Sequence, residues 1–250
     1  MNDRSTPPDA DLPSRLVAFY RSASAPCGYL PGRTERRLVV DLANDPDPQG
    51  LFDRLTDAGF RRSDTYAYRP ICPACSACVP IRVPVAGFQP TRSQRRTAKR
   101  NRDLRVAIEL PTPDREQFDL FQRYQQHRHT GGGMAEMDAD DYAAMVERSP
   151  IATRLITLRE ADGRLVAACL TDGSDAGLSA VYSFYDPDQP ARSLGTALIL
   201  ALIDQAARLG LTFVYLGYWI AGADKMAYKN RFGPFERLSQ EGWTTVGAER

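Results

Sequence analysis

The sequence predicts an α+β protein in two unequal parts. Three observations carry that reading. The first hundred residues mix short strand-like runs and helical runs with a tight cysteine cluster, Cys72-Pro73-Ala74-Cys75-Ser76-Ala77-Cys78. A strongly basic, well-capped helical segment follows. The remainder shows three hairpin-joined strands, then a helix, a strand and a helix. With 250 residues, 43% of them apolar, the chain can fill one large domain or two smaller ones. Boundaries fall at 1–13 for a polar, proline-bearing tail, 14–104 for a smaller cysteine-containing N-terminal α+β domain, and 105–250 for the larger C-terminal domain.

Each element has a local reason. Leu16 to Tyr20 is a short apolar run leading into the turn-rich Pro26-Cys27-Gly28-Tyr29-Leu30-Pro31-Gly32. Leu38 to Leu42 reads as a strand. Pro48 to Ala58 reads as a helix that turns Leu51, Phe52 and Leu55 inward and stops at Gly59. Phe60 to Tyr68 favours a strand through Thr65, Tyr66 and Tyr68. Val79 to Val85 is another strand, and Pro80 and Pro84 predict that it lies at an edge. Thr91-Arg92-Ser93-Gln94 has the capping-box form and starts a helix to about Arg102.

In the second part, Arg105 to Leu110 is a strand, and Thr112-Pro113 is expected to cap a helix reaching His127. Thr130-Gly131-Gly132-Gly133-Met134 is a loop, and Asp138 to Arg148 a short helix. Strands are expected at Ala152–Arg159, Leu165–Thr171 and Leu178–Tyr185, joined by Ala161-Asp162-Gly163 and Asp172-Gly173-Ser174-Asp175. An amphipathic helix spans Leu194 to Leu209, a buried strand Leu211 to Ile220, and a last helix Asp224 to Phe232. Pro234 to Val246 closes the chain.

Composition excludes some classes. No run approaches the roughly 18 apolar residues of a membrane helix. The first sixteen residues, MNDRSTPPDADLPSRL, lack an apolar signal region. Both features predict a cytoplasmic protein with reduced cysteines, so the thiols read as a metal or cluster site rather than a disulfide framework. Cys27, Cys72, Cys75 and Cys78 are the candidate ligands, for zinc or an iron–sulfur cluster, against the alternative of a metal-free thiol knuckle. Cys169 lies in a predicted inner strand and reads as a small core residue.

Net charge is only +1, so any polyanion preference must be local. Arg92, Arg95, Arg96, Lys99, Arg100, Arg102 and Arg105 stand against one acid, Asp103. Arg92, Arg95, Arg96 and Lys99 fall on one helical face. A solvated face is the plain reading; an RNA backbone is the functional one, because phosphates neutralise a charge run that otherwise repels itself.

Arg192-Ser193-Leu194-Gly195-Thr196-Ala197 fits R-x-x-G-x-A after the third hairpin strand and at a helix start. Gly195 permits close backbone approach, and free N–H groups at a helix N-terminus attract an anion. With the strand order, this segment resembles the pyrophosphate loop of the GNAT acyltransferase superfamily. The resemblance implies a GNAT-like C-terminal domain, a mixed and mostly antiparallel sheet with flanking helices.

Further segments narrow it. Cys27-Gly28-Tyr29-Leu30-Pro31, Tyr68 through Val83 and Ser93 through Asn101 resemble the N-terminal domain of the arginyl-tRNA–protein transferase family. Tyr215-Leu216-Gly217-Tyr218-Trp219-Ile220, Lys225 through Asn230, Phe232 through Glu236, Arg123-Tyr124, Arg128-His129 and Gly131 through Met134 resemble its C-terminal domain. The likeness spans nearly all of residues 14–240 and is to the bacterial, leucine-transferring branch. It implies transfer of leucine from leucyl-tRNA to proteins with N-terminal Asp or Glu; a monomer without a membrane partner is expected. Leu30 departs from the eukaryotic branch, which has a second upstream cysteine there.

The resemblance assigns Arg192, Gly195, Thr196 and Ala197 to the tRNA 3′-end phosphate, and Arg92, Arg95, Arg96, Lys99 and Arg100 suit the tRNA backbone. Lys225, Tyr228 and Lys229 share a helical face suited to the tRNA end or the acidic acceptor, or to plain solvent. Aminolysis of an aminoacyl ester needs no cofactor, and an α-amine with a pKa of about 7.7–8.0 makes a mild demand on a base. Tyr185, Asp186 and Tyr218 are the candidate proton handlers. The rivals are a coenzyme A-dependent N-acetyltransferase, an arginine donor, and a non-enzymatic RNA adaptor.

Overall fold

A computed structural model describes residues 16–128 and 131–247. The expected tail at 1–13, together with His129 and Thr130, lies outside the described residues. The fold is mixed α+β, with a large, mostly antiparallel sheet and flanking helices.

The N-terminal part opens with three short strands, β1 (Tyr20–Arg21), β2 (Ala25–Pro26) and β3 (Thr34–Glu35), then β4 (Arg37–Asp41). Helix α1 (Pro48–Asp57) follows, with Pro48 in its first turn and the Asp47 carboxylate accepting the Gly50 N–H. Leu51, Phe52 and Leu55 are buried against Val40, Leu42, Phe60 and Ala67, as the spacing predicts. The single strand expected over 60–68 is two, β5 (Arg61–Ser63) and β6 (Tyr66–Pro70). They turn at Asp64, whose φ of 53° is one that Asp tolerates. The sheet order is β1-β4-β6-β5.

Strand β7 (Val79–Pro84) corrects the edge-strand expectation. It lies inside the eight-stranded sheet, ordered β14-β13-β7-β12-β11-β10-β9-β8, so residues 79–84 pair with the C-terminal part. Both prolines are accommodated because β13 pairs with β7 only at Ile81 and Arg82. Helix α2 (Arg92–Arg100) carries the expected capping box between Thr91 and Gln94.

Strand β8 (Arg105–Glu109) forms the far edge. Helix α3 (Arg115–Arg128) starts later than expected. Asp114, not Thr112, takes the capping role, its carboxylate accepting the Gln117 N–H at 2.7 Å. A carboxylate is the stronger acceptor at a helix start. Helix α4 (Ala139–Glu147) is capped by Asp138. Strands β9 (Thr153–Arg159), β10 (Leu165–Gly173) and β11 (Gly177–Tyr185) form the expected hairpins.

Helix α5 (Leu194–Arg208) buries Leu194, Ala197, Leu198, Ile199, Leu202, Ile203 and Ala206 on one stripe. Successive residues of β10 serve opposite layers: Ala167 and Cys169 pack with the α5 cluster, Ala168 and Leu170 with Leu120, Phe121 and Tyr142 of α3 and α4. Strand β12 (Phe213–Trp219) returns parallel to β11. The last expected helix is shorter: α6 (Asp224–Ala227) gives way to a 3-10 turn at Tyr228–Arg231. The Trp219 indole N–H donates to the Ala227 carbonyl, which an α-helix would have given to Arg231. Strands β13 (Phe235–Ser239) and β14 (Gly242–Val246) finish the sheet.

Candidate functional site: a cleft between diverging strands

Strands β11 and β12 pair only where Gly177, Leu178 and Ser179 meet Phe213, Val214 and Tyr215. Beyond these they part. A bulge in β12 between Tyr215 and Gly217 aids the divergence, and Gly217 takes a φ of 78° that a side chain would strain. A cleft of about 1160 Å³ opens there. Its walls come from both strands, the start of α5, residues 224–231 and the end of α3. The gap leaves backbone groups of β11 beyond Ser179 without a partner on β12.

Arg61, from β5 of the small sheet, lies at the apex of the gap. Its guanidinium donates to the Ala180 carbonyl on β11. It also packs over Gly217 on β12, where an added Cβ would lie 2.5 Å from Nη1. That Nη1 is buried with no hydrogen-bond partner.

Lys225, Tyr228 and Lys229 all line the cleft. Burial, with Arg61 adding repulsion, lowers the Lys229 ammonium to about 7, and its Nζ donates to the Tyr218 carbonyl at 3.0 Å. Burial pushes the Tyr228 phenol up to about 12. Tyr185 lines the same cleft, its ring 4.8 Å from that of Tyr124 and against Gly195.

The other two candidate proton handlers have different partners. Asp186 is buried, accepts from Arg123, Arg164 and Gln189, and is held below the ordinary carboxylate range by these bonds despite burial. A carboxylate so stabilised is a weak base. The Tyr218 hydroxyl faces the Gly59 and Tyr68 carbonyls at 3.0 and 3.1 Å, and burial raises its pKa. It ties β12 to the small sheet.

In the R-x-x-G-x-A segment, Gly195 and Thr196 line the cleft and Ala197 is buried in the core. Arg192 makes a two-pronged pair with Asp103, at 3.0 and 2.8 Å, instead of facing the cleft unpaired. Asn101 donates to the Arg192 carbonyl, and Arg100 to the Ala191 carbonyl, so the end of α2 holds this loop. Gly195 earns its place by packing, since a Cβ would meet the Tyr185 ring at 3.0 Å.

Helix α2 turns Gln94 and Thr97 inward; Arg92, Arg95, Arg96, Lys99 and Arg100 are exposed. Gln94 ties the helix to the Arg231 carbonyl beside the cleft. The basic face is therefore rigidly placed near the same opening.

Cys27, Cys72, Cys75 and Cys78 line one small pocket with Leu30 and carry no disulfide. Burial and the neighbouring thiols push Cys78 up to about 11, while the Ala77 backbone and Arg33 lower Cys75. Among the described residues no three metal-ligating side chains converge as a ligand group. Cys169 is fully buried in the core, as expected.

Sequence reasoning missed Arg61. It offered no local signal, being one arginine in a strand-like run, and only tertiary placement brings it to the cleft.

Family models described as arginine-tRNA-protein transferase, N terminus and C terminus, match residues 25–96 and 116–239. An aspartate/glutamate leucyltransferase of Gluconacetobacter diazotrophicus is 53% identical over 95% of this chain and 91% of its own length. One of Parvibaculum lavamentivorans is 52% identical over 92% of this chain and 95% of its own. A third, of Paramagnetospirillum magneticum, is 48% identical over 90% and 92%.

Proposed function

Because the chain belongs to the arginine-tRNA-protein transferase family, we propose that the cleft between β11 and β12 moves leucine from leucyl-tRNA to the N-terminal α-amine of proteins beginning with Asp or Glu. The protein is an aminoacyltransferase. The observation that carries the cleft assignment is the parting of two parallel strands beside a helix start and a half-buried cation pair, Arg61 and Lys229.

The chemistry is aminolysis of an activated ester. The tRNA body runs over the exposed face of α2, with Arg92, Arg95, Arg96, Lys99 and Arg100 on its phosphates. Its 3′ end enters past Ser193, Gly195 and Thr196 at the start of α5. Arg192 shapes that loop through Asp103. Held side by side, ester and amine gain much of the rate from proximity. Lys229, neutral in part near pH 7, accepts the proton that the α-ammonium must lose, a role its buried place beside the strand gap supports. Tyr185 is the hydroxyl available to give a proton to the leaving 3′ oxygen and to regain one from the nitrogen that has attacked.

Cys27, Cys72, Cys75 and Cys78 are the residues that would hold zinc or an iron–sulfur cluster: four thiols on one pocket suit such a group by donor type, although among the described residues their sulfurs do not converge as a ligand group. Such a group would brace the loop beside β6, outside the transfer steps. Metal analysis with visible absorption decides it. The protein is proposed to act as a monomer in the cytoplasm, where charged tRNA is found; among the described residues no helix is long and apolar enough to cross a membrane.

The deciding experiment offers labelled leucyl-tRNA, arginyl-tRNA and acetyl-coenzyme A with peptides beginning Asp, Glu or Ala. Label moving from leucyl-tRNA to the acidic peptides is the expected result. Acetyl transfer without leucyl transfer would sink the reading, and preference for arginyl-tRNA would change the donor.

A further inference from the structure

We propose that Arg61 selects the acceptor: its guanidinium, lodged where β11 and β12 part, binds the side-chain carboxylate of the acceptor's N-terminal Asp or Glu. The proposal rests on the aminoacyl-transfer reading above and adds to it the residue that recognises acidity.

Four observations carry it. A guanidinium has five N–H donors in a fixed fork, yet Arg61 Nη1 is buried with no acceptor. Buried charged donors are normally satisfied, so a missing partner is expected to arrive with a ligand. Next, no internal acid takes that place. The acids lining the cleft are Asp186 and Asp224; Asp186 is held by Arg123 and Arg164, and no ion pair joins Arg61 to either among the described residues.

Third, the seat is built for this side chain. Gly217 has no Cβ, and a methyl there would overlap the guanidinium at 2.5 Å. The Ala180 carbonyl fixes the other prong. Fourth, Arg61 and Lys229 bring two like charges to one cleft. Lys229, buried in the same cleft, is depressed partly by Arg61, so an anion between them would relieve the repulsion.

Shape separates the two anions the cleft must meet. A carboxylate ends a chain and fits the blind apex where the strands join. A phosphodiester continues on both sides and belongs in the open part, beside the start of α5. The acceptor's α-amine, separated from its side-chain carboxylate by the Cα and Cβ of Asp or by one more methylene in Glu, then lies between Arg61 and Lys229.

The test compares peptides beginning Asp and Asn, and Glu and Gln, in steady-state transfer from leucyl-tRNA. Wild-type protein is expected to favour the acid of each pair through KM. In Arg61→Met, KM for the Asp peptide should rise about 10- to 100-fold, as expected for loss of a charge-assisted bond. The Asp-over-Asn preference should collapse while KM for leucyl-tRNA stays unchanged. Arg61→Lys should restore part of the preference, since it keeps charge but not the fork. A folded Arg61→Met that keeps the wild-type preference overturns the proposal. So does a variant in which kcat falls equally for both peptides at constant KM, because that places Arg61 at the acyl centre. Should Arg61→Met not fold, calorimetric titration of wild-type protein with Asp-Ala and Asn-Ala dipeptides decides instead. Tighter binding of Asp-Ala supports the site, and equal affinity removes it. Wild-type protein that transfers no leucine would remove the activity reading separately, and the dipeptide titration would still judge the carboxylate site.

Discussion

Lys229 joins sequence, burial and chemistry in a single residue. Its side chain is carried inward by the 3-10 turn that replaces the expected helix, and it comes to rest under the Tyr218 carbonyl. Desolvation first, and Arg61 second, lower its pKa to about 7 from 10.5. The folded protein therefore binds fewer protons than the unfolded chain between those values. Stability contributed by this group rises with pH through that window and is absent below it. Urea midpoints should climb from pH 7 to pH 9 in the wild type and lose that part of the slope in Lys229→Met. If Lys229 is the proton acceptor, the same variant should lose about 100-fold or more in kcat and the acid limb near pH 7. An unchanged pH–rate profile would argue against the role.

Among the elements, α2 has the clearest division of labour. Its capping box sets the start, and its inward residues are polar: Gln94 and the following Asn101 bond to the Arg231 and Arg192 carbonyls beside the cleft, and Thr97 is buried between them. That leaves the cations free to face outward without loosening the helix. Replacing Arg95 and Arg96 together by Ala should weaken tRNA binding and lower the slope of log K against log salt by about 2. Thermal stability should hardly move, because both side chains are exposed. A slope unchanged by the double replacement would remove α2 from the RNA path. Helix α5 works the other way: its buried stripe fixes the floor of the cleft. Leu202→Ala, at a fully buried position, should cost about 2–5 kcal/mol in chemical denaturation.

Across the whole molecule, the two parts are held by buried polar contacts rather than by a linker alone. Arg62 of the small sheet meets Asp172 of β10 in a two-pronged pair, both bonds 2.8 Å, with almost no exposure on either side. Thr153 adds a third bond to the same carboxylate. Arg82 lies between Asp57 and Glu236 and against the Phe213 and Trp243 rings, joining α1 to the large sheet. Since Arg61 is the neighbour of Arg62, the pair that locks the parts together also positions the proposed acceptor residue. Asp172→Ala leaves Arg62 charged and buried, and should destabilise the protein by about 3–5 kcal/mol. The same variant should raise KM for acidic acceptors if the lock aligns Arg61; a destabilised variant with wild-type acceptor KM would separate the two roles.

By itself the sequence determined what depends on near neighbours in the chain. The capping box at Thr91, the inward spacing of Leu51, Phe52 and Leu55, the hairpins of the C-terminal part, the stripe of α5 and the outward cations of α2 were all legible, because period and capping are local physics. The segments around Cys72, Arg95 and Tyr215 carry the family resemblance in the sequence itself. Tertiary structure decided the rest. The interior place of β7 follows from a partner strand that pairs at only two of its positions. Asp186 and Tyr218 are held by hydrogen bonds to partners far away in the chain, Arg123 and Gly59. Arg61 reaches the Ala180 carbonyl across 119 residues of sequence. No period or motif encodes that meeting, because it is set by how the small sheet docks on the large one, which only the packing of both cores fixes.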